Sequence, residues 1–259
     1  MSRVIVLFSV IFALLPGIIV FLASFSASNS LAFPPRDFTL RWYGVVLSDP
    51  EFSSALLTSI TLAGVTSVVA TTIAVLAALA ISRYRTPVTA LIEAILLSPM
   101  VVPHIVIGIG ILQIYIIYGL RADLMTLTAG HLIITVPFAL RLLLASLAGL
   151  DRRVEMAAAS LGAAPFTVFH SVVLPQMKMG IAGALIAAFI LSFDDVSLTI
   201  FLVQPGYTTI PILLFNQAEN NPGPAIHAAS VILLLASWVA IFLIDRLMGF
   251  ERLAFAGRK

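Results

Sequence analysis

The 259-residue chain has no cysteine, which excludes structural disulfides and says nothing more about redox chemistry. Charge is scarce as well, at 10% of residues against 61% hydrophobic, far too little polar surface for a water-soluble globule of this length. Lysine occurs only at Lys178 and Lys259, and no Gly-x-x-x-x-Gly-Lys phosphate loop is present, so the chain does not hydrolyse ATP by the usual route. The four histidines, His104, His131, His170 and His227, keep no spacing expected of a metal or hydrolytic centre. Low-complexity tracts, short repeats and a second soluble domain are also missing. Residues 1–259 therefore read as one transmembrane domain whose energy comes from a partner or an ion gradient.

What remains is apolar and long. Crossing roughly 30 Å of hydrocarbon takes about 20 residues of helix, and six stretches qualify: 4–25, 55–82, 88–118, 129–147, 179–203 and 226–248. Backbone amides in lipid must be satisfied within their own segment, so the spans are expected as helices and the fold as all-α, polytopic, with six transmembrane helices. A barrel would show short alternating strands instead. The first run exceeds the 7–15 residues of a signal-peptide core and reads as an uncleaved anchor. The third is overlong and holds Pro99 and Pro103 with Gly108 and Gly110, which predicts a kink. Trp42 and Tyr43 suit the headgroup boundary, where a short interfacial helix is expected. The apolar patch 210–215 in the outer loop 204–224, which carries Pro205-Gly206, Pro211 and Pro222, reads as a short helix tucked against the bundle.

With the N-terminus inside, the inner side collects Arg3, Arg83, Arg85, Arg152, Arg153, Lys178, Arg246, Arg252, Arg258 and Lys259, and Arg141 lies just within a span. The outer side keeps Arg36, Arg41 and Arg121. That bias places both termini in the cytoplasm and, with them, the polar island 149–178.

The island is built to be a bracket. Ala157, Ala158, Ala159 and Leu161 favour helix, Asp151 and Glu155 stand near its positive end, and Gly162 offers a left-handed terminus. Pro165 suits the first turn of a second helix, which would present Phe166, Val168 and Phe169 until Leu174-Pro175 stops it. Met177 reads as packing. An amphipathic linker lying on the inner leaflet is the alternative reading.

The register Ala157-Ala158, three residues, Gly162, nine residues, Val172, one residue, Leu174-Pro175 resembles the Glu-Ala-Ala signature of permease subunits of bacterial ATP-binding-cassette importers. One position departs: where that family carries glutamate this chain has Met156, preceded by Glu155. The segments Phe38-Thr39-Leu40-Arg41-Trp42-Tyr43, Ser192-Phe193-Asp194-Asp195 and Asp245-Arg246-Leu247-Met248-Gly249 are similar to the second, shorter permease of the spermidine/putrescine type. The resemblance implies a type I importer permease fold in a bacterial inner membrane and a cytoplasmic coupling helix within 149–178. It also implies a complex with a second permease, two cytoplasmic ATPases and a periplasmic substrate-binding protein. ATP and magnesium would be used by the ATPases, with no cofactor, metal or nucleic acid bound by this chain. The coupling residues it marks are Glu155, Met156, Ala157, Ala158, Gly162, Ala163, Pro165, Phe166, Leu174 and Pro175.

Ionised groups in hydrocarbon cost at least about 2.5 kcal/mol and face a cavity or a partner. Asp194 and Asp195 stand in the outer half of the fifth span. Neighbours on a helix diverge by about 100°, so one of them could attract a cationic substrate in transit while the other points elsewhere; Phe193 is assigned to the same pathway, and His104 beside Pro103 could face it or be satisfied by a neighbouring helix. A cap or structural hydrogen bond at a kink is the competing account. Glu93 and Arg141 lie at equal depth and are expected to form a structural ion pair. Gly180 and Ala184 would permit close helix contact, assigned to the partner permease. The resulting expectation is a permease for polyamines or a related small organic amine. The rival is a secondary transporter using Asp194, Asp195 and Glu93 as ion relays, although no inverted repeat with matched broken helices is visible.

Overall fold

The computed structural model describes residues 2–28, 35, 37–84, 86–121, 123–204, 207–220 and 223–248, with no side-chain description for 2–5, 7, 237 and 239–248. Arg36, Arg85, Pro205-Gly206, Pro222, Gly249, Arg252, Arg258 and Lys259 lie outside the described residues, as do the side chains of Arg3, Asp245 and Arg246.

Every regular element among the described residues is helical. The helices are α1 (Ser2–Ala23), α2 (Arg41–Leu47), α3 (Pro50–Arg83), α4 (Pro87–Leu97), α5 (His104–Tyr118), α6 (Leu124–Ala148), α7 (Arg152–Ser160), α8 (Pro165–Val168), α9 (Leu174–Phe193), α10 (Thr199–Leu202), α11 (Ile210–Asn220) and α12 (Pro224–Met248). Three single helices are long and apolar enough to cross a bilayer, Pro50–Arg83, Leu124–Ala148 and Pro165–Phe193, and the bent pair α4–α5 supplies a fourth. α1 and α12 are helices of 22 and 25 residues; their fully described apolar parts, Phe8–Ala23 and Pro224–Ala236, are shorter.

The chain divides into two units, 1–53 with 213–259, and 54–212. In the first, α12 packs on both α1 and α2. The short helix expected around Trp42 and Tyr43 is α2, and its aromatics are tied down: Trp42 Nε1 donates to the Ser26 carbonyl at 2.8 Å and the Tyr43 hydroxyl meets Ser24 Oγ at 2.6 Å.

In the second unit α6 and α9 pack side by side, and the reason is small residues. A Cβ on Gly180 would overlap the side chain of Ser146. The close contact anticipated for Gly180 and a partner permease is therefore made within this chain, and Ala184 is likewise fully buried. Ala74 and Ala78 of α3 join Ala139, Leu140, Leu143, Val173 and Met177 in the core beneath the island.

Two expected spans turn out to be interrupted. The kink predicted in the third is a 104° break: Ser98–Val101 forms a 3₁₀ turn, and Val102 is extended at φ −96°, ψ 128°, as the residue before Pro103 must be. The fifth does not run unbroken from 179 to 203. It starts earlier, as a continuous 29-residue helix from Pro165 to Phe193, and stops at Asp194. Leu174-Pro175 does not end the island's second helix, because a π turn at Phe169–Val173 immediately precedes it. The wider turn displaces the carbonyl that the proline ring would otherwise strike and absorbs its missing N–H.

Candidate functional site

Two groups of residues stand out, and local chemistry positions each. The first is the island. Asp151 caps α7 by accepting from Arg153 N at 2.9 Å. Gly162 ends the helix with φ +86°, Gly162 N donates to the Ala159 carbonyl at 3.0 Å and Ala163 N to the Ala158 carbonyl at 3.2 Å. That pair of bonds is a Schellman motif, and its left-handed residue is why glycine sits there. Ala164 then runs extended into Pro165 at the start of α8.

The faces of α7 are sharply sorted. Glu155 turns toward α3, where Arg83 Nη2 donates to Glu155 Oε2 at 2.7 Å, and Ala158 and Ala163 pack on the core. Met156, one residue later and about 100° around the helix, points away and is 61% exposed; Leu161 is 89% and Phe166 75% exposed. Glu155 and Met156 thus leave α7 on different faces, the first paired and the second exposed. Ala157 is exposed beside Met156. Of the three apolar knobs predicted on α8, only Phe166 is presented, stacked on His170 at 6.2 Å; Val168 is buried and Phe169 packs on the core with Val173 and Met177. Leu174 and Pro175 lie in the continuous helix that follows.

The second group surrounds the end of α9. Asp195 is 8% exposed, and both of its carboxylate oxygens are engaged. Oδ2 accepts from Leu198 N at 3.0 Å, Thr199 N at 2.9 Å and Thr199 Oγ1 at 2.9 Å, as a helix cap does. Oδ1 meets His104 Nδ1 at 3.2 Å. Thr199 Oγ1 also reaches His131 Nε2 at 3.1 Å, and His131 Nδ1 reaches Ser192 Oγ at 2.9 Å. Asp194 is exposed in a cleft of about 550 Å³ lined also by Phe138, Ile190, Leu191 and Ser197, and Asp195 reaches the same cleft as a buried member of its wall. Phe193 stacks on Phe189 at 5.8 Å. His104 is thus a partner of Asp195, and the two aspartates, which lie just past the end of α9 rather than within a helix, have different surroundings.

Glu93 and Arg141 do not pair. Ion pairs do form between Arg83 and Glu155 and between His104 and Asp195. Glu93 instead lines a separate cavity of about 560 Å³ with Ser82, Thr86 and Thr89, while Arg141 is exposed. His131, Thr199, Ser192 and Arg83 were not singled out by sequence. For His131 a signal existed: an ionisable ring in the middle of an apolar 25-residue helix.

A bundle of apolar helices with two interrupted spans, a bracket of exposed apolar side chains and an acid open to a cleft defines a membrane transport subunit. The chain belongs to the family of binding-protein-dependent transport system inner membrane components, which matches residues 70–250. It is 29% identical over 227 residues to the spermidine/putrescine transport system permease protein PotC of Escherichia coli K12, covering 88% of this chain and 86% of that one. It is 29% identical over 252 residues to the putrescine transport system permease protein PotI of the same organism, covering 95% and 89%. In three dimensions it is similar to a chain of a bacterial ABC transporter involved in the import of alginate, with a TM-score of 0.75 at 15% identity, covering 95% of this chain and 94% of that one. The fold is that of the type I importer permeases. The protein is a permease subunit of an ATP-driven importer, a transport subunit rather than an enzyme, and the ion-driven alternative is set aside.

Proposed function

We propose that this chain is one of two permeases lining the import pathway for a polyamine or a related small organic amine, with six spans in a single permease domain, 1–259, and both termini in the bacterial cytoplasm. A second permease, two ATPases that use ATP and magnesium, and a periplasmic binding protein complete the importer. The island 149–178 docks an ATPase through Met156, Ala157, Leu161, Gly162 and Phe166, with Ala158, Ala163, Pro165, Leu174 and Pro175 shaping the bracket from behind. Asp194 is the pathway carboxylate. Support for the substrate class comes from PotC and PotI, whose names specify spermidine and putrescine, and from an acid left open to a cleft in an otherwise apolar segment.

The observation that carries the docking reading is the exposed apolar row Met156, Leu161 and Phe166 on an element otherwise fastened by an ion pair and a Schellman cap. Large apolar side chains held out on a rigid polar loop mark a partner surface. Co-expression with a candidate ATPase tests it. Wild type captures the ATPase and Gly162→Pro does not; a wild type that never captures one defeats the importer assembly.

A further inference from the structure

Asp195 touches both interrupted spans. Its carboxylate holds the first backbone amides after the break in the fifth span, at Leu198 and Thr199, and holds His104, the first residue of α5 after the break in the third. The contact continues inward to α6 through Thr199, His131 and Ser192.

Proton bookkeeping gives this chain a single direction. Thr199 has one hydroxyl proton, and the carboxylate Oδ2 at 2.9 Å can only accept it. Nε2 of His131 must then donate to Thr199 Oγ1, and Nδ1 accepts from the Ser192 hydroxyl. Each donor from Ser192 to Asp195 has one acceptor.

Shape reinforces the bonds. A Cβ on Gly108 would come within 2.9 Å of Phe201 Cδ2 and 3.0 Å of the Leu198 carbonyl oxygen, and a Cβ on Gly130 within 2.8 Å of Leu202 Cδ1. The segment after the break is therefore seated between α5 and α6 at two glycines as well as bonded to them.

We propose that Asp195, Thr199 and His131 form a positioning lock joining the two interrupted spans, and that Asp195 serves the pathway only by holding its neighbour Asp194 out into the cleft. This rests on the reading of Asp194 as the pathway carboxylate. Four donors already converge on the Asp195 carboxylate, three of them on Oδ2, so an ammonium ion there would compete with the junction, whereas Asp194 is exposed.

Thr199 provides the clean test, since valine keeps its shape and loses its hydroxyl while serine keeps the hydroxyl. In the assembled transporter, Thr199→Val is expected to lower putrescine uptake about tenfold, the order set by a lost buried hydrogen bond, and Thr199→Ser to restore it. In the purified full chain, Asp195→Asn and Thr199→Val each lower the melting temperature, by about 2–4 °C, and the double variant is no worse than the more damaging single one, while Asp194→Asn melts like wild type. Additive melting shifts, or wild-type uptake by Thr199→Val, overturn the lock. If wild type imports no putrescine, the substrate reading fails and the melting cycle alone decides the lock.

Discussion

Arg83 Nη2 and Glu155 Oε2 lie 2.7 Å apart across 72 positions of sequence, fastening the island's first helix to the C-terminal end of α3. The two side chains are 30% and 19% exposed, so the pair adds little to global stability. Its consequence is orientation: with Glu155 committed to Arg83, Met156 is left exposed on another face of α7, beside Arg152, Arg153 and Ser160. Glu155→Gln is therefore expected to leave ATPase capture within about twofold of wild type. Leu161→Asp or Phe166→Asp should abolish it, since each would bury an unpaired charge in the contact. Quantitative pull-down measures both, and loss of capture in Glu155→Gln alone would return Glu155 to the docking face.

Gly162 carries a φ of +86° at the end of α7 with open space where a Cβ would stand. The cost of Gly162→Ala is then purely conformational, about 1 kcal/mol. Capture of the ATPase should weaken about fivefold in titration, an intermediate effect between wild type and the proline variant.

Gly180 and Ser146 occupy the same space once either grows. Gly180→Ala should destabilise the chain by about 1–3 kcal/mol through overpacking, and Ser146→Gly in the same chain should recover most of the loss because it removes the side chain in the way. Thermal unfolding of the two singles and the double decides this. Failure of the rescue would place the Gly180 contact on another subunit.

Asp123 caps the N-terminal end of α6: its Oδ1 accepts from Thr126 N at 2.7 Å, and Thr126 Oγ1 accepts from Asp123 N at 3.0 Å. The Thr126 amide, together with its hydroxyl, holds the Asp123 carboxyl below its ordinary value of 3.8. A depressed carboxyl stabilises the folded form above the unfolded value, and that contribution disappears as pH falls through the lower, folded value. Protection of the Thr126 amide against hydrogen exchange should therefore drop at acid pH in wild type relative to Asp123→Asn, whose side-chain carbonyl caps without titrating. Equal pH dependence in the two proteins would exclude the cap as the cause.

Much of this was written in local pattern. Helices, the Schellman glycine, the short Trp42-Tyr43 helix and the island between two apolar runs each follow from neighbours within a few residues, so composition and spacing were sufficient to see them. The breaks were half legible. Pro99 and Pro103 announced one, but its 104° angle comes from the extended Val102 and the packing on either side. Asp194 and Asp195 announced the other only as a choice between two acids.

Pairing was not legible at all. His104 finds Asp195 over 91 positions, His131 finds Thr199 over 68, and Arg83 finds Glu155 over 72. Equal depth in two assumed straight helices suggested Glu93 and Arg141, yet Glu93 lines a cavity and Arg141 is exposed. The sequence by itself determined that this is an apolar helical membrane subunit without a nucleotide site, because lipid demands internally bonded backbone and phosphate chemistry demands residues that are missing. Only the tertiary structure decided which acid is occupied and which is open, because a carboxylate's partners are set by where chain breaks bring distant helices together.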